Sequence, residues 1–519
     1  MKKLALFLAL CMMLSVLLAG CSSTEQTPDT PDSSNPTETG GDSGQPDAAP
    51  RTDLNMSLGE APGTFDPHYS SLIAESTLEK QMYEPLIRIV DDGKEMPLLA
   101  TDYSVSDDGL VYTFNIRQGV KFHNGEELKA SDVVFTFERA KQSPYLMSAT
   151  EAIASVEAAD DYTFVMTLSH PYGPIMQYLD GILIINEKHY NEVGNDDFSL
   201  NPCGTGPYTL KDFQQAVSIS MEAFPDYWGG EAPIKTLNWK IITDTSTSLI
   251  AFEAGELDYV GVPSASWADM QQDDRYCTEA TSGLSVVFMM MNTEIAPFDS
   301  KQVRQAVNYA LNKEDICLMA MDGLGVPAYT LANPELVAGA TTDCPTYSYD
   351  PEKAKELLAE AGYPDGLDAG ALKTTAGPME KVSQVIQSNL ATAGITISLE
   401  IVELTTFSTD LSGGNYTLGI TAATIGYDFS MYSIAYMSQS IGSFNFARYS
   451  NPEVDALFAQ ALSTADNTER NELYKSITNI VQEDAVYAPV LFPSGGVAYH
   501  KDLHYVSGRG HVFYEWSWQ

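Results

Sequence analysis

Basic residues are scarce in this chain: 28 Lys and Arg stand against 70 Asp and Glu, a formal net charge of −42 over 519 residues. Nucleic acid phosphates are held by clustered Lys and Arg, so that class of partner is excluded. Cysteine is also sparse, with six in all and no C-x-x-C pair, which argues against a zinc site. Signatures of catalysis are missing too. There is no G-x-S-x-G elbow, no H-E-x-x-H, no P-loop and no G-x-G-x-x-G at a strand–helix junction. Of the seven histidines, His500 and His504 have i, i+4 spacing, but their segment reads as strand, where that spacing does not converge on a metal. No enzyme activity, metal or cofactor is expected.

Long apolar runs are confined to one place. Lys2 and Lys3 precede the stretch Leu4 to Leu18, about 15 residues long, which is the length of a signal core and short of the roughly 20 needed to span a bilayer. It ends in Leu18-Ala19-Gly20-Cys21. This aliphatic–small–small–cysteine pattern resembles a bacterial lipoprotein box, which implies cleavage after Gly20, acylation of Cys21 and attachment to the outer face of a cell membrane. Loss of residues 1–20 removes two lysines and no acid, leaving −44. The segment Ser22 to Pro50 is Ser, Thr, Pro, Gly, Asn, Gln and acid, with Ala48 and Ala49 its only weakly apolar residues, too little apolar surface to offset the entropy of ordering. It reads as a leash of roughly 30 Å as a coil and up to about 90 Å when stretched. Cys203, Cys277, Cys317 and Cys344 remain in the body, and the sequence does not pair them.

The body is too large for one ordinary core, so two or more lobes are expected. Leu54 to Leu58 reads as a strand, and a helix through Ala74, Leu78 and Met82 stops before Pro85. Tyr112, Phe114 and Ile116 alternate with polar residues, as do Phe164, Met166 and Leu168, the period of half-buried strands. Ser131 is placed to cap a helix carrying Val133, Val134 and Phe137. Asn201 to Tyr208 is a Gly–Pro loop leading to a strand with Ile219 and Met221. Ser285 to Met291 has strand length and no polar face, so full burial is expected. Helices then open at Ser300, Asp350-Pro351, Pro378, Asn451-Pro452 and Asn467, with Gly362 and Gly394 as stops. The Pro378 helix followed by strand Ile395 to Glu403 makes a unit of α/β type. Tyr487 to Phe492 reads as a late strand.

Several of these stretches, in order, resemble the family 5 extracellular solute-binding proteins of bacterial ABC importers. They are Phe65-Asp66-Pro67-His68, Tyr83-Glu84-Pro85-Leu86, Tyr112 to Arg117, Gly119 to Gly125, Gly204-Thr205-Gly206-Pro207-Tyr208, Ala254 to Asp258, Val303 to Ala310 and Tyr349 to Gly362. The resemblance implies an α/β, two-lobed periplasmic-binding-protein-like clamp with an extra subdomain in the first lobe. Expected boundaries are a signal peptide 1–20, lipidated Cys21 and linker 21–50, lobe I 51–285 with 490–519, and lobe II 286–489. The implied function is capture of short peptides between the lobes and delivery to ABC permease subunits, the protein acting as a monomer. Nickel chelate, an oligosaccharide or another small solute is the alternative ligand, and adhesion or signalling without transport the alternative of another class. In peptide-binding members a second-lobe aspartate pairs with the ligand's α-amino group. Asp428 is the only acid between Asp410 and Glu453 and is the candidate here, with Tyr427 and Phe429 beside it. The segment lacks the proline and extra acids that members of the family often carry at this point.

Overall fold

The computed structural model describes residues 51–90, 94–507 and 512–519. The lipidation residue Cys21 and the leash lie outside the described residues. Residues 51–519 form one compact unit, described by itself below.

Three sheets carry the fold. The first joins Asp53–Leu58, Thr236–Ile241, Ser218–Ala223 and Tyr208–Gln214 in that spatial order. Leu54, Met56 and Leu58 point inward on alternate residues, as the sequence pattern requires. The second is an antiparallel sheet of Ala100–Val105, Val111–Ile116, Thr163–Leu168 and Ile153–Asp160. The helix Ala130–Ala140 packs on it and brings Phe137 to 4.9 Å, centroid to centroid, from Phe164. This sheet has its own apolar core, separate from the first.

The third and largest sheet runs Tyr259–Val262, Tyr487–His500, Ser285–Met291, Leu418–Thr424, Leu367–Thr374 and Ile395–Ile401. The absence of a polar face in Ser285–Met291 now has a physical reason. Val287, Met289 and Met291 enter one core, while Val286, Phe288 and Met290 enter another on the opposite face. Leu367–Thr374, the helix Pro378–Thr392 and Ile395–Ile401 form a parallel strand–helix–strand unit.

Tyr487–His500 is one continuous strand of 14 residues. Its first half pairs with Ser285–Met291 and Gly325–Pro327, its second half with Tyr276–Ser282 and Tyr259–Val262. Pro493, Gly495 and Gly496 predict an end at Phe492, yet the chain stays extended through them. Gly496 leaves room for Trp267, since a Cβ there would lie 2.5 Å from the indole.

Local differences have simple causes. The Ala130–Ala140 helix is capped by Lys129 rather than Ser131, because the Asp132 carboxylate accepts the Lys129 N–H at 3.0 Å. The last long helix, Asn467–Glu483, is capped one residue earlier than expected, by Asp466 accepting from Glu469 N at 2.8 Å. The Asp350-Pro351 start holds, with Asp350 Oδ1 accepting from Lys353 N at 2.9 Å.

Two sequence motifs 120 residues apart turn out to be one piece of scaffold. Gly206 N donates to Met82 O at 2.9 Å, and a Cβ on Gly204 would sit 2.1 Å from the same carbonyl. Thr205 donates its hydroxyl to buried Glu84 at 2.8 Å, and Tyr227 and Trp228 donate to the same carboxylate. Glycine is required there by close backbone approach.

Candidate functional site

A loop of the second-sheet core meets a helical corner of the large-sheet core. The loop is Ser169 to Pro174, which leads into the short helix Ile175–Leu179; the corner joins Pro452–Ser463 to Asn467–Glu483. Gly173 N donates to Leu462 O at 2.9 Å. The approach is close enough that a Cβ on Gly173 would fall 2.0 Å from Thr464 O and 2.8 Å from a guanidinium nitrogen of Arg470. Arg470 is buried and secures the corner by donating to Thr464 O at 3.0 Å and to Asn467.

Beside this contact lies Asp428, 2% exposed. Its Oδ1 accepts from Ser430 N at 2.8 Å, capping the short helix Phe429–Tyr432, and from the Tyr474 hydroxyl at 3.3 Å. The opposing surface presents Tyr172 and Tyr178, with ring centroids 5.8 Å apart. The Tyr178 hydroxyl lies close to Ser430, and both tyrosines lie within the electrostatic reach of Asp428. Burial raises the Asp428 carboxyl above its ordinary range, against the pull of the Ser430 hydrogen bonds and the Arg470 charge. Both tyrosines are raised as well, first by burial.

Asp428, Tyr427 and Phe429, singled out from sequence, have three different placements. Asp428 is buried at the meeting of the two surfaces. Tyr427 is 37% exposed, and its carbonyl accepts from Ala338 N at 2.7 Å. Phe429 is 3% exposed within an aromatic cluster, 5.5 Å from Tyr432, 5.2 Å from Tyr474 and 6.1 Å from Phe458. Its ring supports the loop from beneath. Sequence reading missed Tyr172 and Tyr178; the run Pro171-Tyr172-Gly173-Pro174, an aromatic held in a rigid turn, was the available signal.

Immediately after Tyr178, Asp180 and Gly181 line a hollow of about 320 Å³ together with Ser70, Leu72 and Ile73. Ile73 is 84% exposed, an apolar side chain offered to solvent at a cavity mouth. A second cavity of about 170 Å³ lies where the long strand changes partners, between Ser282, Phe492, Asn333 and Cys344. Asp428 does not line it. The four body cysteines carry free thiols.

Two cores that meet across a polar, aromatic seam beside a hollow define a binding protein of the two-lobed type. Residues 94–445 match the family described as bacterial extracellular solute-binding proteins, family 5. Heme-binding protein A of Haemophilus influenzae is 31% identical over 84% of this chain and 86% of its own length. Glutathione-binding protein GsiB of Salmonella paratyphi A is 29% identical over 87% of this chain and 91% of its own. The oligopeptide-binding protein AppA of Bacillus subtilis, solved with a nonapeptide, matches with a TM-score of 0.67 and 27% identity, over 91% of this chain and 100% of its own.

This chain belongs to the family 5 extracellular solute-binding proteins. It is a non-enzymatic substrate-binding component of an ABC importer. It works outside the cell or in the periplasm, and among the described residues no helix is long and apolar enough to cross a membrane.

Proposed function

We propose that this protein captures short peptides and hands them to an ABC permease, held at the membrane by acyl chains on Cys21. The observation that carries the ligand class is Asp428, a buried carboxylate facing Tyr172 and Tyr178 at the seam. A peptide α-ammonium is the partner that would balance it, because a buried charge is costly unless paired. Peptide-binding AppA and glutathione-binding GsiB support this reading. In it Tyr427 contacts ligand, and Phe429 acts by fixing the loop.

The two lobes are residues 51–285 with 490–519, and 286–489. The hinge lies at Ser282 to Leu284 and Pro493 to Gly496, where Tyr487–His500 exchanges one set of partners for the other. Ligand touching both sides shifts the population toward closure by its differential affinity. The protein acts as a monomer, and the leash keeps it near its permease, raising effective concentration.

Native mass spectrometry and thermal shift of the mature protein, with a di- to oligopeptide pool, glutathione, hemin and nickel–histidine, test the ligand class. Stabilisation by peptides is expected; stabilisation by hemin or nickel alone overturns it. Cys21→Ala is expected to release the protein into the medium, and retention at the membrane contradicts the anchor.

A further inference from the structure

The hollow beside the seam has a chemistry of its own. Its floor includes Glu79, a helical residue that is 2% exposed. Glu79 Oε2 accepts from the Ser70 hydroxyl at 2.9 Å, while Oε1 is buried with no hydrogen-bond partner. The neighbouring acid shows what satisfaction looks like here. Glu75, one turn earlier, takes Gly63 N on one oxygen and Ser71 N and Leu72 N on the other. Glu75 holds the loop in place; Glu79 lines a 320 Å³ cavity and keeps one buried oxygen without a hydrogen-bond partner.

Two features select what would fill that acceptor. The wall carries hydroxyls on Ser70, Ser71 and Ser76, the ammonium of Lys80 and a second carboxylate, Asp180, whose Oδ1 already accepts from Ile89 N at 3.1 Å. Apolar Leu72 and Ile73, both exposed, also line it and are suited to an alkyl stem. A long side chain with a cationic tip fits both: its methylenes lie on Leu72 and Ile73 and its tip reaches Glu79.

We propose that this hollow is a side-chain subsite for a lysine or arginine of the bound peptide, with Glu79 Oε1 as the acceptor. The inference rests on the peptide reading and deepens it by naming a preferred residue class. Burial, with Glu75 and Asp66 nearby, pushes the Glu79 carboxyl up to about 8, against the pull of Ser70 and Lys80. An arriving cation offsets that cost, so binding at neutral pH is accompanied by release of a proton.

The test is calorimetry with Ala-Ala-Ala-Ala carrying a single lysine at each position in turn, each matched by its norleucine counterpart, in two buffers of different ionisation enthalpy. At one position lysine is expected to bind roughly ten- to a hundredfold tighter than norleucine, the range for a hydrogen bond to a charged group, with proton release. Glu79→Gln is expected to remove the preference and the proton release while still binding the norleucine peptide. Equal binding of lysine and norleucine peptides by the unaltered protein at every position overturns the subsite and leaves the peptide reading standing. No binding of any peptide overturns both. The wild-type comparison needs no variant to fold.

Discussion

At Gly173 the two surfaces approach closely, and Gly173→Ala is a sharp perturbation of that approach. The added Cβ would sit 2.0 Å from Thr464 O, where real Cβ atoms essentially never come within 3.0 Å. The loop must therefore retreat by at least 1 Å, or the corner must move. The corner resists, because Arg470 donates from inside it to Thr464 O and Ala465 O. Retreat stretches the 2.9 Å bond from Gly173 N to Leu462 O and draws Tyr172 away from Asp428 and Tyr474. Overpacking of this kind costs about 1–3 kcal/mol. The penalty falls on arrangements in which the two surfaces touch, so peptide affinity should drop roughly 5- to 150-fold. Far-ultraviolet circular dichroism should be unchanged, since neither core is altered. Titration calorimetry on both proteins is the assay. Unchanged affinity together with an unchanged melting midpoint would refute the claim that this seam matters to binding.

Three further outcomes follow from buried ionisable groups. Arg139→Met strands the Asp66 carboxylate, which is 4% exposed and held by that guanidinium, and should lower stability by about 3–5 kcal/mol in urea unfolding; adding Asp66→Asn should restore part of it. Burial pushes His68 and His123 down to about 4 from an ordinary 6.5, so the folded state binds fewer protons than the unfolded between those values, and stability should fall as pH drops from 6.5 to about 4. Glu79 acts in the opposite direction. Raised to about 8 from 4.5, it stabilises fully below 4.5 and loses that contribution as pH rises to about 8. In melts across pH 5–8, Glu79→Gln should be less destabilised by rising pH than the unaltered protein; an identical slope would exclude Glu79 as the source.

What was legible in the sequence was local. Alternation in Tyr112, Phe114 and Ile116, the unbroken apolar run Ser285–Met291 and the Asp350-Pro351 cap each depend on neighbours a few residues away. Tyr208–Gln214 was not legible as a strand, because Lys211, Asp212 and Gln214 are exposed at a sheet edge and dilute its pattern. The sequence shows only the first part of Tyr487–His500, because proline and glycine normally end strands, whereas here they lie where the strand changes partners. The site divides the same way. Asp428 is nominated by the family resemblance, as the only acid between Asp410 and Glu453. Tyr172, Tyr178 and Glu79 become candidates only when residues some 250 positions apart meet, or when one carboxylate oxygen is seen to lack a partner.

The most direct measurement is a double comparison at Asp428. Calorimetry of the unaltered protein and Asp428→Asn, each against a free and an N-acetylated peptide, isolates the pairing of carboxylate with α-ammonium. Acetylation should cost the unaltered protein about 2 kcal/mol or more, the range for leaving a buried charge unpaired, and should cost Asp428→Asn little. Equal affinity for free and acetylated peptide in the unaltered protein would contradict the assignment.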